Sequence, residues 1–299
     1  HNGGASLGIT SKLRREKFIQ PDGTAEEIPV LSGNGLRGLL RDRGMLHMCK
    51  ALGYGVDEES GEVRGLTLPA FYFLFSGGAL TSSGNSLDIA QARKIRETIP
   101  LVGIFGGAVG NMIMPGKLKM GKAIPICAET AHLLPAKFQP QAPVSIWEFL
   151  QEEMYTRKDD EKNEKLRTMI TPAERKQLPG MSAAAAVAVK EAPPQQMMYH
   201  VETIAAGTRF YWKIVLDDVT DVEFEAFLTT LVEFSKMPYV GGKSNVGLGE
   251  VAINFDNWLS IDSRATAEST ALSLPLGRGY ADHLESRGTE IRDFLASMK

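Results

Sequence analysis

"TRFYWKIVLDD" (208–218), followed by "DVEFEAFLTTLVEFS" (221–235) and "VGGKSNVGLGE" (240–250), is the part of the chain that decides its fold class. In the first stretch Phe210, Trp212, Ile214 and Leu216 occupy alternate positions, the spacing of a strand with one buried face. In the second, Phe224, Phe227, Leu228, Leu231 and Phe234 recur at helical spacing, and Asp221 suits the N-cap. After the glycine loop Val251, Ile253 and Phe255 alternate again, which predicts another strand. Strand, helix, glycine loop and strand make one half of a ferredoxin-like sheet. The fold class is therefore α+β.

Working outward, the other half needs a second helix. "LRGLLRDRGMLHMCKAL" (36–52) supplies it, with Leu36, Leu39, Leu40 and Leu46 as the apolar stripe. The strand before that helix is expected upstream of His1, with "HNGGASLG" (1–8) as the loop leaving it. Two insertions separate the halves. "IPLVGIFGGAVGNMIMPGKLKMGKAIPIC" (99–127) is glycine-rich, apolar and strand-like after Pro115. Residues 151–180 are charged and broken twice by proline, and 181–200 are rich in alanine and proline. Such composition builds no core of its own and reads as a projecting arm or a mobile loop. "YADHLESRGTEIRDFLASM" (280–298) predicts a short amphipathic helix.

With 299 residues, 43% of them hydrophobic, the chain is long enough to bury a proper core. Its 33 Lys+Arg against 36 Asp+Glu give a net charge of -3, whereas an isolated nucleic-acid-binding domain is usually basic. The charge is unevenly spread. Lys12, Arg14, Arg15 and Lys17 cluster, as do Arg37, Arg41 and Arg43, while acids gather in 56–62 and 216–225. This predicts one positive face on an acidic body. Cys49 and Cys127 lack metal or redox spacing, so free thiols in a reducing, cytoplasmic compartment are expected. The five histidines form no metal-ligand pattern, so neither a metal nor another cofactor is expected. No apolar run reaches membrane-spanning length.

The first glycine loop, "SGNGLRG" (32–38), contains G-x-G-x-x-G. A dinucleotide fold needs a buried strand before that pattern and an acid at the end of a second strand. Pro29 interrupts the approach, and Asp57 lies in a polar stretch, so the oxidoreductase reading is weak. In the second loop "GGKS" (241–244) ends like a P-loop, but the first P-loop glycine falls at Met237 and the helix precedes the loop. The two loops do share chemistry. Each holds glycines, a cation (Arg37, Lys243) and small polar side chains (Ser32 and Asn34; Ser244 and Asn245). Glycine lets backbone N–H groups approach an anion, and a helix N-terminus adds positive potential. On composition alone, tight turns and an anion cradle stay equally open.

The pair of motifs resembles the RAMP superfamily of CRISPR-associated proteins. "SGNGLRGLLRD" (32–42) resembles the loop that opens the first helix of its RRM-like domain, and "GGKSNVGLGEV" (241–251) its late glycine-rich loop. "ETIAAGTRFYWKIVL" (202–216) is similar to the lead-in to its third strand, and "PLVGIFGG" (100–107) to its central segment. Within the superfamily the chain most resembles the backbone subunit of multi-subunit CRISPR effectors, in its type IV version. The resemblance implies one RRM-like domain over 1–299: a ferredoxin-like palm, fingers around 45–98, a thumb around 155–198 and a C-terminal extension over 256–299. It implies a non-catalytic subunit that binds guide RNA, lines up with further copies of itself and other effector subunits, and presents the guide to a complementary target. Endoribonuclease branches of the superfamily are the alternative, but they commonly use a histidine-centred site, and here the histidines are scattered.

Carried over by position, Ser32, Asn34 and Arg37 match the phosphate-contacting first loop, and Gly241, Gly242, Lys243 and Ser244 the late one, with Asn245 beside them. Arg41 lies one helical turn after Arg37 and joins them as a candidate. His1 and Asn2 stand where the family places a loop close to RNA, and Arg14 and Arg15 are candidates to line the groove. Met197 and Met198 are candidate thumb residues, open between wedging against bases and anchoring the arm in the core, and Tyr199 is expected in the core. Family members that cut target RNA carry an Asp in the loop after the first strand. Thr10 stands at that place here.

Overall fold

A computed structural model describes residues 3–56, 63–78, 89–110, 112–157, 197–255, 258–261, 266–269 and 277–298. The chain divides into two compact units. One comprises His1–Pro29 and Ile126–Arg209, and the other Val30–Pro125 and Phe210–Lys299. The first unit opens with β1 (Gly3–Leu7), β2 (Thr10–Leu13), β3 (Arg15–Ile19) and β4 (Ala25–Pro29). The second takes over with α1 (Gly33–Ala51), β5 (Gly55–Val56), β6 (Val63–Arg64) and α2 (Leu68–Phe71), which runs on as a π-turn over Tyr72–Ser76. It continues through α3 (Ile89–Thr98), α4 (Pro100–Phe105), β7 (Gly107–Val109), β8 (Met112–Met114), β9 (Leu118–Met120) and β10 (Ile124–Pro125). The first unit resumes with β11 (Leu150–Arg157) and β12 (Met197–Ile204). The second closes with β13 (Phe210–Tyr211), β14 (Ile214–Leu216), α5 (Asp221–Ser235), β15 (Trp258–Ile261), β16 (Thr266–Ser269) and α6 (Gly279–Ser297). The mixed helices and small sheets make the fold α+β. Among the described residues no helix is long and apolar enough to cross a membrane.

The first unit is built on a four-stranded sheet in the order β1-β2-β12-β11. β11 and β12 pair antiparallel without a slip, from Leu150 opposite Ile204 to Arg157 opposite Met197. β3 and β4 form a separate hairpin, with Arg15 opposite Pro29. Ile28, Cys127 and Ile146 form a small core there, with Phe18 and Phe149 packed on it. "HNGGASLG" was expected to be a loop, yet Gly3–Leu7 is a strand, because the turn at Gly8 (φ 60) folds it back on β2.

The second unit holds the main core. α1 and α5 lie against each other and bury Leu36, Leu40, Met45 and Met48 with Phe227, Leu228, Leu231 and Phe234. The helical spacing read for α5 is the one observed. Its cap is Thr220 rather than Asp221: Thr220 Oγ1 accepts from Glu223 N, and Glu223 Oε2 accepts from Thr220 N at 2.8 Å, a full capping box. In α1 the expected stripe is wrong at one place. Leu46 is exposed, and Met45, Met48 and Cys49 are buried instead, because the buried ridge advances by fours from Leu36 through Leu40 and Gly44.

Phe210, Trp212, Ile214 and Leu216 do share the core-facing side, though the strand is interrupted. β13 pairs β10 and β14 pairs β9, with a one-residue register shift between Ile124 opposite Tyr211 and Met120 opposite Ile214. Trp212 Nε1 donates to Gly121 O at 3.1 Å across that shift. Before Pro115 the glycine-rich apolar stretch is α4, β7 and β8. Val251, Ile253 and Phe255 pack on the core but form no strand. Alternation reports one-sided burial, and a ladder also needs a partner strand. α6 adds Tyr280, Leu284, Ile291 and Leu295 to the same core.

Candidate functional site

The first glycine loop is held by an antiparallel bridge: Leu31 and Ala123 exchange two N–H···O bonds of 3.0 Å. Ser32 is extended (φ -65, ψ 131) and its Oγ accepts from Gly35 N at 3.1 Å, so its hydroxyl caps α1. Gly33 is required by space, since a Cβ there would lie 2.6 Å from Met120 O. Asn34 and Gly35 are exposed, and no acid occupies the first turn of α1. The positive end of the helix thus faces outward without a carboxylate to answer it.

The two arginines after that loop are both tied to the end of α4. Arg37 Nη2 donates to Phe105 O, and Arg41 Nη2 donates to the same oxygen and to Gly106 O at 2.9 Å. Those are the terminal carbonyls of α4, where cations are favoured. Arg41 also lies over the Phe105 ring, 5.8 Å from its centroid. Only 7% of Arg41 is exposed, and burial, helped by the neighbouring Arg37 charge, pushes its pKa down to about 10. A phosphate therefore reaches Arg41 only by displacing the carbonyls. "LRGLLRD" and "PLVGIFGG", two motifs far apart in the chain, are physically one cluster.

The second glycine loop is closed by Val240 N donating to Gly249 O and Val251 N to Pro238 O, both at 2.8 Å. Gly249 takes φ 87, and a Cβ there would run into Val240 O. Lys243 is left-handed at φ 65, an uncommon state for a side-chain-bearing residue, and opens a 3₁₀ turn over Ser244–Val246. Gly241, Gly242, Ser244 and Asn245 are exposed. α1 and α5 run antiparallel: His47 Nδ1 lies 3.2 Å from Glu233 Oε1, and Arg43 Nη1 lies 4.0 Å from Met237 Sδ. The chain leaving α5 therefore heads toward the start of α1, and the two loops share one end of the helix pair.

The remaining candidates lie in the first unit. Arg15 Nη2 is 2.5 Å from Glu202 Oε1, and its guanidinium sits 5.2 Å from the centroid of Trp147. Glu202 also accepts from Leu13 N at 2.9 Å, so Arg15 serves to neutralise a buried carboxylate. Arg14 is exposed. Met198 is half-exposed on β12. Tyr199 was expected in the core but is 39% exposed, because it faces Tyr155 across the ladder and stacks on it, centroids 5.5 Å apart. Nothing near either tyrosine in the sequence signals that pair, since the strand pairing spans a long insertion. Met197 belongs to β12, but its side chain, like His1, Asn2 and the thumb interior over 158–196, lies outside the described residues. Among the described residues no three His, Cys, Asp or Glu side chains are grouped to hold a metal ion. A groove of about 700 Å³ opens between α3, β8 and α6, and none of the candidates lines it.

No family model and no curated protein matches the chain. Among solved structures, a chain of a "Type IV-B CRISPR Complex" matches with a TM-score of 0.53 at 23% identity, over 92% of this chain and 89% of that one. The crystal structure of Thermofilum pendens Csc2 matches at a TM-score of 0.35 and 15% identity, over 98% of this chain and 71% of that one. The chain thus has the fold of a protein solved within a CRISPR complex. That complex carries the type IV label to which the sequence resemblance also points.

Proposed function

We propose that the protein is a backbone subunit of a multi-subunit CRISPR effector of the type IV kind, one that grips guide RNA by its phosphates in the cytoplasm. The observation that carries this reading is the fold shared with a chain of a type IV-B CRISPR complex over 92% of the sequence. The two glycine loops supply the chemistry. They stand at one end of the α1–α5 pair, with exposed Asn34, Gly35, Gly241, Gly242 and Ser244 and the half-buried Lys243. Backbone amides and cations at that end suit a repeating phosphate chain, which offers no other constant feature. In this reading the RRM-like palm is α1, α5 and the ribbon of β9, β10, β13 and β14, and the β11–β12 hairpin is the base of the thumb. Copies line up along the guide beside other effector subunits, the complementary target pairs with the exposed bases, and the subunit itself performs no chemistry.

The dinucleotide alternative has lost its support. The strand before the first loop, β4, is half of an antiparallel hairpin, and the cofactor fold requires a parallel β-α-β unit. The test is to purify the protein from its host and examine what comes with it. RNA of uniform length is expected. Lys243→Glu, at an exposed turn, should lower RNA content for nearly any guide sequence, and binding should weaken steeply with salt. Protein that is free of RNA when isolated and binds none when it is added would end this reading.

A further inference from the structure

Two arginines one turn apart on α1 share a single carbonyl oxygen, Phe105 O. Among the described residues neither has a carboxylate within ion-pairing distance, so two positive charges meet at the end of α4 hydrogen-bonded to backbone carbonyls, with the neighbouring Asp42 acting on Arg41 only through space. Their surroundings differ. Arg41 is 7% exposed and uses its fork on Phe105 O, Gly106 O and the face of the Phe105 ring. Arg37 is half-buried, gives one N–H to Phe105 O and leaves a buried Nε with no hydrogen-bond partner. A guanidinium has five donors, so most of Arg37's capacity is unused. Only Arg37 is both reachable and under-satisfied.

We infer that Arg41 is a positioning residue: by gripping the Phe105–Gly106 turn it fixes the carbonyl that tethers Arg37, and so presents Arg37 to an RNA phosphate at the first glycine loop. A long cationic side chain loses rotamer freedom when it binds, and a tether made beforehand reduces that loss. Lysine does not replace Arg41 here. An ammonium carries the charge on one compact centre and lacks the planar face that lies over the Phe105 ring while Nη2 holds the two carbonyls. The site is also tight: a Cβ at Gly77 would stand 2.5 Å from Arg41 Nη1.

This inference rests on the RNA-binding reading, and the experiment separates the two. RNA of guide length is titrated against wild type, Arg37→Ala, Arg41→Lys and the double variant over a range of salt. Each single variant should bind roughly tenfold more weakly, the loss of about one charge-assisted contact. The double should be no weaker than Arg37→Ala alone, with the salt slope reduced by about one single-strand contact, ~0.7, in all three. Losses that multiply, or a slope reduced twice in the double, would mean that Arg41 touches phosphate itself or acts only through general stability, and would overturn the inference alone. Wild type that binds no RNA would overturn the proposed function and this inference with it. A measurement on the unmutated protein guards against Arg41→Lys failing to fold. An arginine-selective dicarbonyl reagent should modify Arg37 in free protein, RNA should protect it, and Arg41 should stay unmodified in both states. Modification of Arg41 in free protein, lost on RNA binding, would refute the positioning role.

Discussion

At the residue scale, Gly44 and Gly38 make a controlled pair on one helix. Gly44 faces α5 where a Cβ would overlap Thr230 Oγ1, a fully buried hydroxyl already bonded to Ala226 O at 2.9 Å. Gly38 has nothing within 4 Å of the same position. Gly44→Ala should destabilise by ~1–3 kcal/mol through overpacking. Gly38→Ala should stabilise by about 0.5–1 kcal/mol, because alanine restricts the unfolded chain. Urea melts of both variants check this, and equal effects would show that the α1–α5 crossing is misplaced. Glu129 offers a test by pH. Burial raises its pKa, but hydrogen bonds from Ser145 Oγ at 2.5 Å and Ile146 N at 2.9 Å outweigh that and hold it below 4.5. A depressed carboxylate pKa stabilises the fold above its unfolded value and loses that contribution as pH falls through the folded one. Wild type should therefore exceed Glu129→Gln in stability at neutral pH, and the gap should shrink as pH drops below 4.5. A gap that widens on acidification would contradict the assignment. The thiols give no comparable handle: burial pushes Cys49 up to about 11 and also raises Cys127.

At the element scale, what could be read beforehand depended on how local the cause was. α5 was legible because its five aromatic and leucine positions repeat within one helix, and α1 because a leucine stripe follows a glycine loop. Thr220→Ala should cost about 1 kcal/mol, since it removes one half of the capping box; an unchanged melt would mean that the Lys117–Glu223 pair, at 2.7 Å, holds the first turn alone. Elements set by distant partners were not legible. Glu225 Oε2 accepts from Tyr280 N at 2.8 Å and so caps α6 from another helix, and no residue near 280 signals it. Likewise Arg37 and Arg41 read as surface cations in a basic cluster, because nothing local reveals that Phe105 lies beneath them. The glycine loops were legible as backbone, through glycines that space or positive φ demands. The fate of the cations beside them was a tertiary fact.

At the scale of the whole molecule, the arm and the chemistry remain to be tested. Arg157 and Met197 are Cα partners at the end of the β11–β12 ladder, so a short loop can rejoin them. Deleting 160–195 should leave both units folded and alter how guide bases are protected from nucleases; a protein that unfolds would place that segment in a core. The last expectation is that the RNA-loaded assembly leaves its target intact. In the RAMP proteins that the sequence resembles, those that cut target RNA carry an Asp at the place of Thr10, and here Thr10 opens β2, opposite Leu7 on one side and His200 on the other. A hydroxyl has no charge to hold Mg²⁺, which favours carboxylate oxygen, and it is a poor base at neutral pH. The carboxylates of the same sheet are committed elsewhere: Glu202 to Arg15 and Leu13 N, Glu152 to His200 at 2.8 Å, and Glu153 to the Tyr155 hydroxyl. Labelled complementary RNA, incubated with the assembly and Mg²⁺, should therefore be bound and recovered whole. Cuts at regular intervals that vanish with chelator would refute this. Asp22 would then be the first residue to change, because its carboxylate at the β3–β4 turn is exposed and accepts from Thr24.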